Sequence, residues 1–290
     1  MILVIGGRSK IGSALIENLV ERGEPVRALS RAHESARPFP AGVESVVGDL
    51  GDVESLNAAM VGVKKVFLLC GPTPDEVAFN KNAIDAAAAH GIELLVRSSI
   101  LGADGESPAT FVRDHGMCDE YLRSAGLGFA IVRPNMFMQN IPENTMPSIE
   151  ESGNFYTNTG NARISMVDTR DVAAAAAVLL TEPGHQGEEV DVTGPEAFGY
   201  DDVAVKLSAA MGRPVAHVAV PDDAVRSALA GFGLGDWMVE GLVGLFRDYR
   251  QSGTDGYAAQ VTDTVSRCTG RDPRSLDGLL AEVQPAGASR

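Results

Sequence analysis

The chain contains little cysteine, few aromatic residues and no long hydrophobic run, and each of these absences excludes a class of protein. Three cysteines occur in 290 residues, and their odd number and wide spacing exclude a disulfide framework and a zinc knuckle. The five histidines are dispersed, so we expect no metal site. No apolar stretch is long enough to span a bilayer, and the start of the chain lacks the flanks of a signal peptide. We therefore expect a cytoplasmic protein without a membrane partner.

Positive charge is also scarce in this sequence. Twenty-four lysine and arginine residues stand against 39 aspartate and glutamate residues, which gives a formal net charge of −15. Nucleic-acid surfaces need clustered Lys and Arg to contact phosphates, so no nucleic-acid partner is expected. We expect a small-molecule partner instead, bound by a monomer or a homodimer. A chain of this length can bury a sizeable core, either as one elaborated domain or as two lobes.

Short apolar runs alternate with helical patterns through the first half of the chain. The run at 2–5 is typical of a strand, and residues 11–22 then place their apolar side chains on one helical face. Further strands are predicted near 25–31, 43–50, 65–71, 93–99 and 128–134. This βα alternation, with strands apolar throughout, predicts an α/β fold with a doubly wound parallel sheet covered by helices on both faces.

The later part of the chain has a different character. Residues 187–220 contain two strands around one helix, and the chain beyond them is mostly helical. We therefore predict a nucleotide-binding core at 1–134, to which 162–180 returns, and a smaller lobe at 135–161 and 181–290. That lobe is predicted to be mostly helical and to bind the substrate.

The stretch "ILVIGGRSKIG" (2–12) resembles a dinucleotide-binding turn without its middle glycine. Such a turn needs one glycine for the tight bend, one for approach of the pyrophosphate and one for packing of the helix. Gly6 and Gly12 fit the first and third roles, whereas Ser9 or Lys10 stands in the middle place, depending on the frame. The loop either binds a nucleotide or is a structural turn that packs a helix.

Side chains in the same loop offer a substitute for the missing glycine. The hydroxyl of Ser9 can donate to phosphate, and the amides at the start of the helix, around Ile11, point the same way. Arg8 and Lys10 add positive charge within one turn. We predict that these residues contact the cofactor together with Gly6 and Gly12.

The residue that ends the second predicted strand indicates which nucleotide binds. NAD-binding folds place Asp or Glu there, on the ribose 2′-hydroxyl. This chain has Ser30 and Arg31 instead, and a guanidinium suits a 2′-phosphate. The sequence therefore predicts an NADP(H) site, the alternative being that Arg31 is a solvated surface arginine.

Several segments together resemble the NmrA-like branch of the atypical short-chain dehydrogenase/reductase family. They include "ILVIGGRSKIGSALIENLVERGEPVRALSR", "LVRSSILGAD" and "HGMCDEYLRSAGLGFAIVRPNMFMQN", and the likeness runs over nearly the whole chain. Members include type-2 NAD(P)H:quinone oxidoreductases, cofactor-sensing regulators and tailoring enzymes of aromatic polyketide pathways. The resemblance implies a Rossmann-type domain that binds NADP, with a small C-terminal substrate lobe. It further implies adenine contacts near Asp49 and Leu50, with Leu69, Cys70 and Gly71 beside the nucleotide.

The catalytic pair of ordinary members of this superfamily is missing here. They use a Tyr and a Lys one helical turn apart, so that the lysine lowers the phenol pKa. None of the five tyrosines in this chain has a lysine at the fourth following place. In the segment matching the family's catalytic helix, His115 falls where several quinone-reductase relatives also carry His, and Asp119 shares its helix face. We predict that His115, oriented by Asp119 or a backbone carbonyl, donates a proton or a hydrogen bond to the substrate; the alternative is an ordinary, partly buried histidine.

Quinone reduction tolerates the missing pair better than alcohol oxidation does, because hydride addition to a quinone gives a weakly basic phenolate. We therefore predict an electron-poor conjugated acceptor. The predicted pocket wall follows strand ends, where ligands bind in such sheets. It comprises Ser98, Ser99, Asn135, Phe137 and Met138, and for Phe137 and Met138 ordinary core packing is the alternative.

The sequence thus predicts an NADPH-dependent reductase of a quinone or another conjugated aromatic compound, including a tailoring role on an aromatic polyketide. Two alternatives stay open. One is a regulator that binds NADP without turnover. The other is a tailoring enzyme that performs non-redox coupling or isomerisation with the nucleotide bound. The absence of a recognisable proton donor is compatible with both alternatives.

Overall fold

The structure, a computed structural model, describes residues 1–31 and 38–283. Strands and helices alternate as the apolar periodicity predicts. The order is β1 (Ile2–Ile5), α1 (Lys10–Glu21), β2 (Val26–Ser30), β3 (Glu44–Val47), α2 (Val53–Met60), β4 (Lys65–Leu68), α3 (Glu76–Ala89), β5 (Leu94–Ser98), α4 (Thr110–Ser124), β6 (Phe129–Pro134), α5 (Asn140–Ser152), β7 (Asn154–Thr157), α6 (Thr169–Thr181), β8 (Glu188–Val192), α7 (Tyr200–Met211), β9 (Ala216–Ala219), α8 (Asp222–Gly231), α9 (Asp236–Ser252), α10 (Thr264–Thr269) and α11 (Leu276–Val283).

Seven parallel strands form the central sheet, in the order β3-β2-β1-β4-β5-β6-β8. All four residues of β1 and all five of β5 are buried, as expected of strands covered on both faces. The chain leaves β1 toward one edge of the sheet and returns through β4 toward the other. Because ligands bind outside the carboxyl ends of strands at such a switch point, the fold places a site between β1 and β4. The predicted doubly wound α/β fold is confirmed.

Helices pack on both faces of this sheet. One face is covered by α1 and α6, whose apolar residues share a core with β1, β4 and β5. The alanine run 173–177 lies in α6 and is fully or almost fully buried, because small side chains let this helix approach α1 closely. The opposite face is covered by α2, α3 and α4.

The rest of the chain forms a smaller lobe around a separate apolar core. A two-stranded parallel sheet of β7 and β9 packs with α5, α7, α9 and α11 around Phe155 and Tyr200. The prediction that assigned all of 181–290 to the lobe needs a correction. Strand β8 pairs with β6 in the central sheet, and Val265 of α10 joins the core under α6. Among the described residues, no helix is both long enough and apolar enough to cross a membrane.

Candidate active site

The loop between β1 and α1 has the backbone of a dinucleotide-binding turn. Gly6 has φ +84°, a conformation that favours glycine, and a Cβ there would lie 2.5 Å from the carbonyl oxygen of Leu69. A Cβ on Gly12 would lie 2.2 Å from the Gly6 carbonyl oxygen, so that position needs glycine for the helix to pack against the turn. The bend and packing roles predicted for these two glycines match this geometry. Gly12 is buried behind the loop and does not face the cleft.

Ser9, one of the two residues that stand in place of the missing glycine, is the N-cap of α1. Its hydroxyl oxygen accepts a hydrogen bond from the Gly12 backbone N–H at 2.9 Å. Because the oxygen accepts, the hydroxyl proton remains available to donate to a bound phosphate. The cap thus fixes the side chain beside the amides of the first helical turn, which is where anions bind.

A cleft of about 670 Å³ opens above this loop, at the carboxyl ends of β1, β2 and β4. Most of the predicted cofactor residues line it, namely Gly6, Arg8, Ser9, Arg31, Asp49, Leu50, Leu69, Cys70 and Gly71. The guanidinium of Arg8 stacks 3.7 Å from the ring centroid of Phe39. Phe79 and Thr73 also line the cleft, and no sequence pattern marks them. A cleft with two guanidinium groups and a helix N-terminus fits a dinucleotide phosphate.

A second cavity of about 410 Å³ adjoins the nucleotide cleft, and Leu69, Cys70 and Gly71 line both. Lys10 and Ile11 line this second cavity rather than the cleft. Ser98, Ser99, Asn135 and Phe137 line it as predicted, together with His115.

Met138 is a correction to the predicted pocket wall. Its side chain is fully buried in the core of the smaller lobe, and its backbone N–H donates to the Val167 carbonyl oxygen. The alternative of ordinary core packing therefore applies to Met138.

The apolar wall of the second cavity comes mainly from helices distant in the sequence. Its members are Phe111 of α4, Met136 after β6, and Leu242, Leu245, Phe246 and Tyr249 of α9. Helix α9 approaches α4 closely, since a Cβ on Gly241 would lie 2.3 Å from the Phe111 ring. Such a wall suits a flat aromatic molecule. Sequence reasoning missed α9 because nothing in its pattern shows which surface it covers.

Two polar residues predicted to touch the substrate are already bound to the protein. The Asn135 amide nitrogen donates to the Ser165 hydroxyl and to the Ala258 carbonyl oxygen, at 2.9 and 2.8 Å. The Ser99 hydroxyl donates to Asp119 at 2.9 Å. Both side chains therefore support the cavity wall.

His115 lies at the polar end of the cavity, with 14% of its side chain exposed. Its orienting partner is Arg97 of β5, whose guanidinium nitrogen Nη2 lies 3.0 Å from His115 Nδ1. The expectation that Asp119 orients His115 is wrong in this structure. Asp119 is bound by Arg97, by Ser99 and by Arg133 at 3.4 Å.

The protonation state of His115 follows from these contacts. Burial and the charge of Arg97 hold the pKa of His115 well below its usual value, so the imidazole is neutral. Since Arg97 only donates, Nδ1 accepts and the ring proton belongs on Nε2. His115 is therefore a neutral hydrogen-bond donor in an apolar cavity.

Glu76, at the start of α3, was missed by the sequence analysis. It lines the same cavity and is 2% exposed. Its Oε1 lies 3.2 Å from His115 Nδ1 and 3.6 Å from Arg97 Nη2, and it has no hydrogen-bond partner in the described chain. Burial raises the pKa of this carboxyl to about 7.

The raised pKa of Glu76 predicts a pH dependence of stability. An unfolded glutamate ionises near its ordinary value, whereas the folded protein keeps this proton until about pH 7. Stability should therefore fall as pH rises between these two values. As the pH rises from about 5 to about 8, the unfolding free energy of Glu76→Gln should increase by about 1–3 kcal/mol relative to that of the unmodified protein.

Urea unfolding of both proteins at the two pH values measures this difference. Glu54→Gln is the matched control, because Glu54 lies exposed in the first turn of α2. A difference in unfolding free energy that is the same at both pH values would contradict the assignment.

The thiols near the cavity are not activated. Burial raises the pKa of both Cys70 and Cys118 to about 12, so neither is a thiolate nucleophile. Within residues 1–31 and 38–283, no group of three or more His, Cys, Asp or Glu is placed to hold a metal ion.

Comparison with known proteins agrees with this geometry. Residues 6–183 match the NAD(P)H-binding family. This chain belongs to that family. An NAD(P)H azoreductase of Xenophilus azovorans is 38% identical over 277 residues, which cover 95% of each chain. A (4-alkanoyl-5-oxo-2,5-dihydrofuran-3-yl)methyl phosphate reductase of Streptomyces griseus subsp. griseus is 33% identical over 291 residues, covering 99% of each. An NADPH-dependent quinone oxidoreductase of Escherichia coli, solved with NADPH, has a TM-score of 0.88 and 25% identity, covering 98% and 99% of the two chains.

These findings confirm three predictions made from the sequence. The resemblance to NmrA-like relatives and to quinone oxidoreductases is confirmed, as are NAD(P)H as the cofactor and the enzyme class. The protein is an NAD(P)H-dependent oxidoreductase of this family. The identities of individual site residues stay predictions.

Proposed function

We propose that the protein is an NADPH-dependent reductase of flat, electron-poor conjugated acceptors, with quinones and azo compounds as the main classes. One observation carries the proposal: the nucleotide cleft opens directly into an apolar cavity whose polar end holds a neutral hydrogen-bond donor, His115. Bound NADPH supplies the hydride. The chain's own residues orient the acceptor and stabilise the charge that forms on it.

The cavity wall and His115 divide these tasks. The aromatic and aliphatic side chains of α4 and α9 hold a flat ring against the loop after β4 and exclude water. Nε2–H of His115 then donates to the oxygen or nitrogen on which negative charge develops. No Tyr–Lys pair is needed, because a conjugated acceptor spreads the charge and gives a weakly basic anion.

The relatives support this choice of substrate class. Their names describe reduction of azo compounds, of an unsaturated furanone phosphate and of quinones. Each of these acceptors is a conjugated, electron-poor π-system, whereas none is a simple alcohol or sugar. A role in tailoring a polyketide has support from one of these relatives alone, so we do not extend the proposal to it. The relatives do not favour the regulator.

We also propose a division of labour within the chain. Residues 1–134, 162–180 and β8 form the core that binds the cofactor, and the lobe at 135–161 with most of the later chain contributes the substrate wall. In this division α9 determines which ring systems enter, because four of its apolar residues line the cavity.

An assay of NADPH oxidation tests the proposed function. We expect turnover with a benzoquinone and with an azo dye, and none with an unactivated ketone. The nucleotide is first shown to bind by calorimetry, so that absence of turnover can be interpreted. Firm NADPH binding without oxidation by any acceptor would indicate the regulator or the non-redox tailoring enzyme instead.

A charge contact between α1 and α5 gives a further prediction. Lys10 Nζ lies 2.5 Å from Glu143 Oε2 of α5, and both side chains are about half exposed. If Lys10 replaces the missing glycine by contacting phosphate, Lys10→Ala should weaken NADPH binding about two- to fivefold and flatten its salt dependence. Glu143→Gln should slightly strengthen binding, because it removes a competitor for the ammonium group.

Calorimetry at low and high salt measures both effects. Lys64→Ala is the control, because Lys64 pairs with Glu93 at the amino ends of the strands, opposite the nucleotide loop. An NADPH affinity that Lys10→Ala leaves unchanged at low salt would exclude a phosphate contact by Lys10.

A further inference from the structure

We propose that Glu76 is the proton source from which His115 draws during reduction, so that the two residues form a proton relay to the substrate. This inference rests on the proposed function and deepens it by naming a second acid. Glu76 was not among the residues indicated by the sequence, and the ordinary Tyr–Lys chemistry of the superfamily offers no counterpart to it.

The geometry that supports the relay is a buried carboxyl facing the substrate cavity. Glu76 begins α3 directly after the loop that separates the two cavities, and it is 2% exposed. Its Oε1 lies 3.2 Å from His115 Nδ1, within the reach of a proton transfer, and 3.6 Å from Arg97 Nη2, and this oxygen makes no hydrogen bond to any described residue. Burying a polar atom without a hydrogen bond costs free energy, so we infer that Glu76 serves a function at this position.

His115 cannot supply the proton alone. Its imidazole is neutral, and loss of the Nε2 proton would leave an unstable imidazolate unless Nδ1 gains a proton in the same step. The Arg97 guanidinium donates to Nδ1 at 3.0 Å, and the Glu76 carboxyl lies 3.2 Å from the same nitrogen, close enough to take the place of the guanidinium as the donor. Arginine does not give up its proton in proteins, whereas a carboxylic acid does. The relay therefore begins at Glu76.

The charges around Glu76 suit this task. Burial favours the neutral acid, as do the negative charges of Asp114 and Asp119 on α4, while Arg97 favours the carboxylate. The result is a pKa of about 7, so the group can both hold and release a proton near neutral pH. The remaining groups that face it are two neutral thiols, Cys70 before α3 and Cys118 on α4, and the neutral ring of His115.

The step balances in atoms and electrons. The quinone carbonyl system accepts a hydride and becomes a phenolate, while the nicotinamide is oxidised. The Nε2–H bond of His115 breaks as the phenolate O–H bond forms, and the O–H bond of Glu76 breaks as an Nδ1–H bond forms. Glu76 is left as a carboxylate beside Arg97 and the Nδ1–H group, both of which stabilise it. After the product leaves, solvent protonates Nε2 and the Nδ1 proton passes back to Glu76, which restores both residues.

Single-turnover kinetics of a reactive benzoquinone with NADPH test the relay. Glu76→Gln keeps the size and a hydrogen-bond donor but has no proton to release. We expect its rate at about pH 6 to fall about five- to fiftyfold. The unmodified protein should slow as pH rises through about 7, and Glu76→Gln should be independent of pH in that range.

A double variant separates a relay from a structural role. If Glu76 acts through His115, adding Glu76→Gln to His115→Ala should cause no further loss of rate. NADPH affinity should be unchanged in Glu76→Gln, and Glu54→Gln should behave as the unmodified protein. A solvent deuterium isotope effect below about pH 7 provides a measurement on the unmodified protein that does not depend on any variant folding.

The outcomes distinguish this inference from the function on which it rests. A rate that depends on His115 but not on Glu76, or an equal loss from Glu76→Gln with and without His115, would overturn the relay alone. Absence of NADPH oxidation in the unmodified protein, or an unaltered rate in His115→Ala, would overturn the proposed catalytic site and the relay with it.

Discussion

Replacing His115 by alanine is expected to slow quinone reduction about ten- to a thousandfold, while NADPH affinity stays the same. General acid catalysis contributes about 10²–10⁴-fold, and a quinone needs less of it because the phenolate that forms is weakly basic. The nucleotide should be unaffected, because His115 lines the substrate cavity and not the nucleotide cleft. The loss should therefore appear in the hydride-transfer rate.

The size of this effect should depend on the acceptor. Reduction of an azo bond places charge on nitrogen, which gives a far more basic anion than a phenolate. We therefore expect His115→Ala to cost more with an azo dye than with a quinone in the same preparation. If His115 had only a structural role, its loss would slow the reduction of both acceptors equally. The ratio of the two rate losses therefore distinguishes a proton donor from a structural residue.

Single-turnover measurements with NADPH and each acceptor determine these rates. His90→Ala serves as the control, because His90 is exposed and hydrogen-bonds to Asn57 on the surface. An unaltered quinone rate in His115→Ala would leave His115 as a structural residue.

The nucleotide loop was predictable because its interactions are local. The glycines at 6 and 12 and the cap at Ser9 contact one another within a single turn of chain. Spacing in the sequence therefore determines their arrangement in space. The same holds for the strand ends that meet at one edge of a parallel sheet, which brought Ser98 and Phe137 to one cavity.

The residue that contacts His115 was not predictable, because Asp119 binds a stronger partner, Arg97, from another element. Spacing of four residues on α4 allows contact between His115 and Asp119. In the folded protein Arg97 of β5 binds the Asp119 carboxylate, since a buried guanidinium needs an anion more than a neutral imidazole does. The sequence contains no signal for that pairing, nor for the approach of Glu76.

The two neighbours Phe137 and Met138 show a second limit. They follow the end of β6 in a segment without helix or strand periodicity, so sequence alone does not determine which side chain faces the ligand. Packing decides the matter: Phe137 lines the cavity, whereas the flexible side chain of Met138 fills the core beside Gly194. The wall from α9 has the same origin, because a long-range contact with α4 places it.

Arg31 is expected to select NADP(H) over NAD(H). It follows the carboxyl end of β2 and lines the nucleotide cleft, and the last residue of β2, where NAD-binding folds carry a carboxylate, is Ser30. A charge-assisted contact with the 2′-phosphate should make NADPH bind about 10- to 150-fold more tightly than NADH. Because Arg31 is exposed, solvent screening favours the lower end of this range.

Arg31→Ala should therefore weaken NADPH binding and leave NADH binding unchanged, so that the two affinities converge. Arg22→Ala is the matched control: it removes the same charge at the far end of α1, about 18 Å from the loop for twelve residues of helix. Calorimetry with both nucleotides on the three proteins gives the affinities directly.

Equal affinities in the unmodified protein would show that Arg31 is a surface arginine. A loss of NADPH binding matched by an equal loss of NADH binding would place the guanidinium on the pyrophosphate, because both cofactors share that group and only NADPH carries the 2′-phosphate.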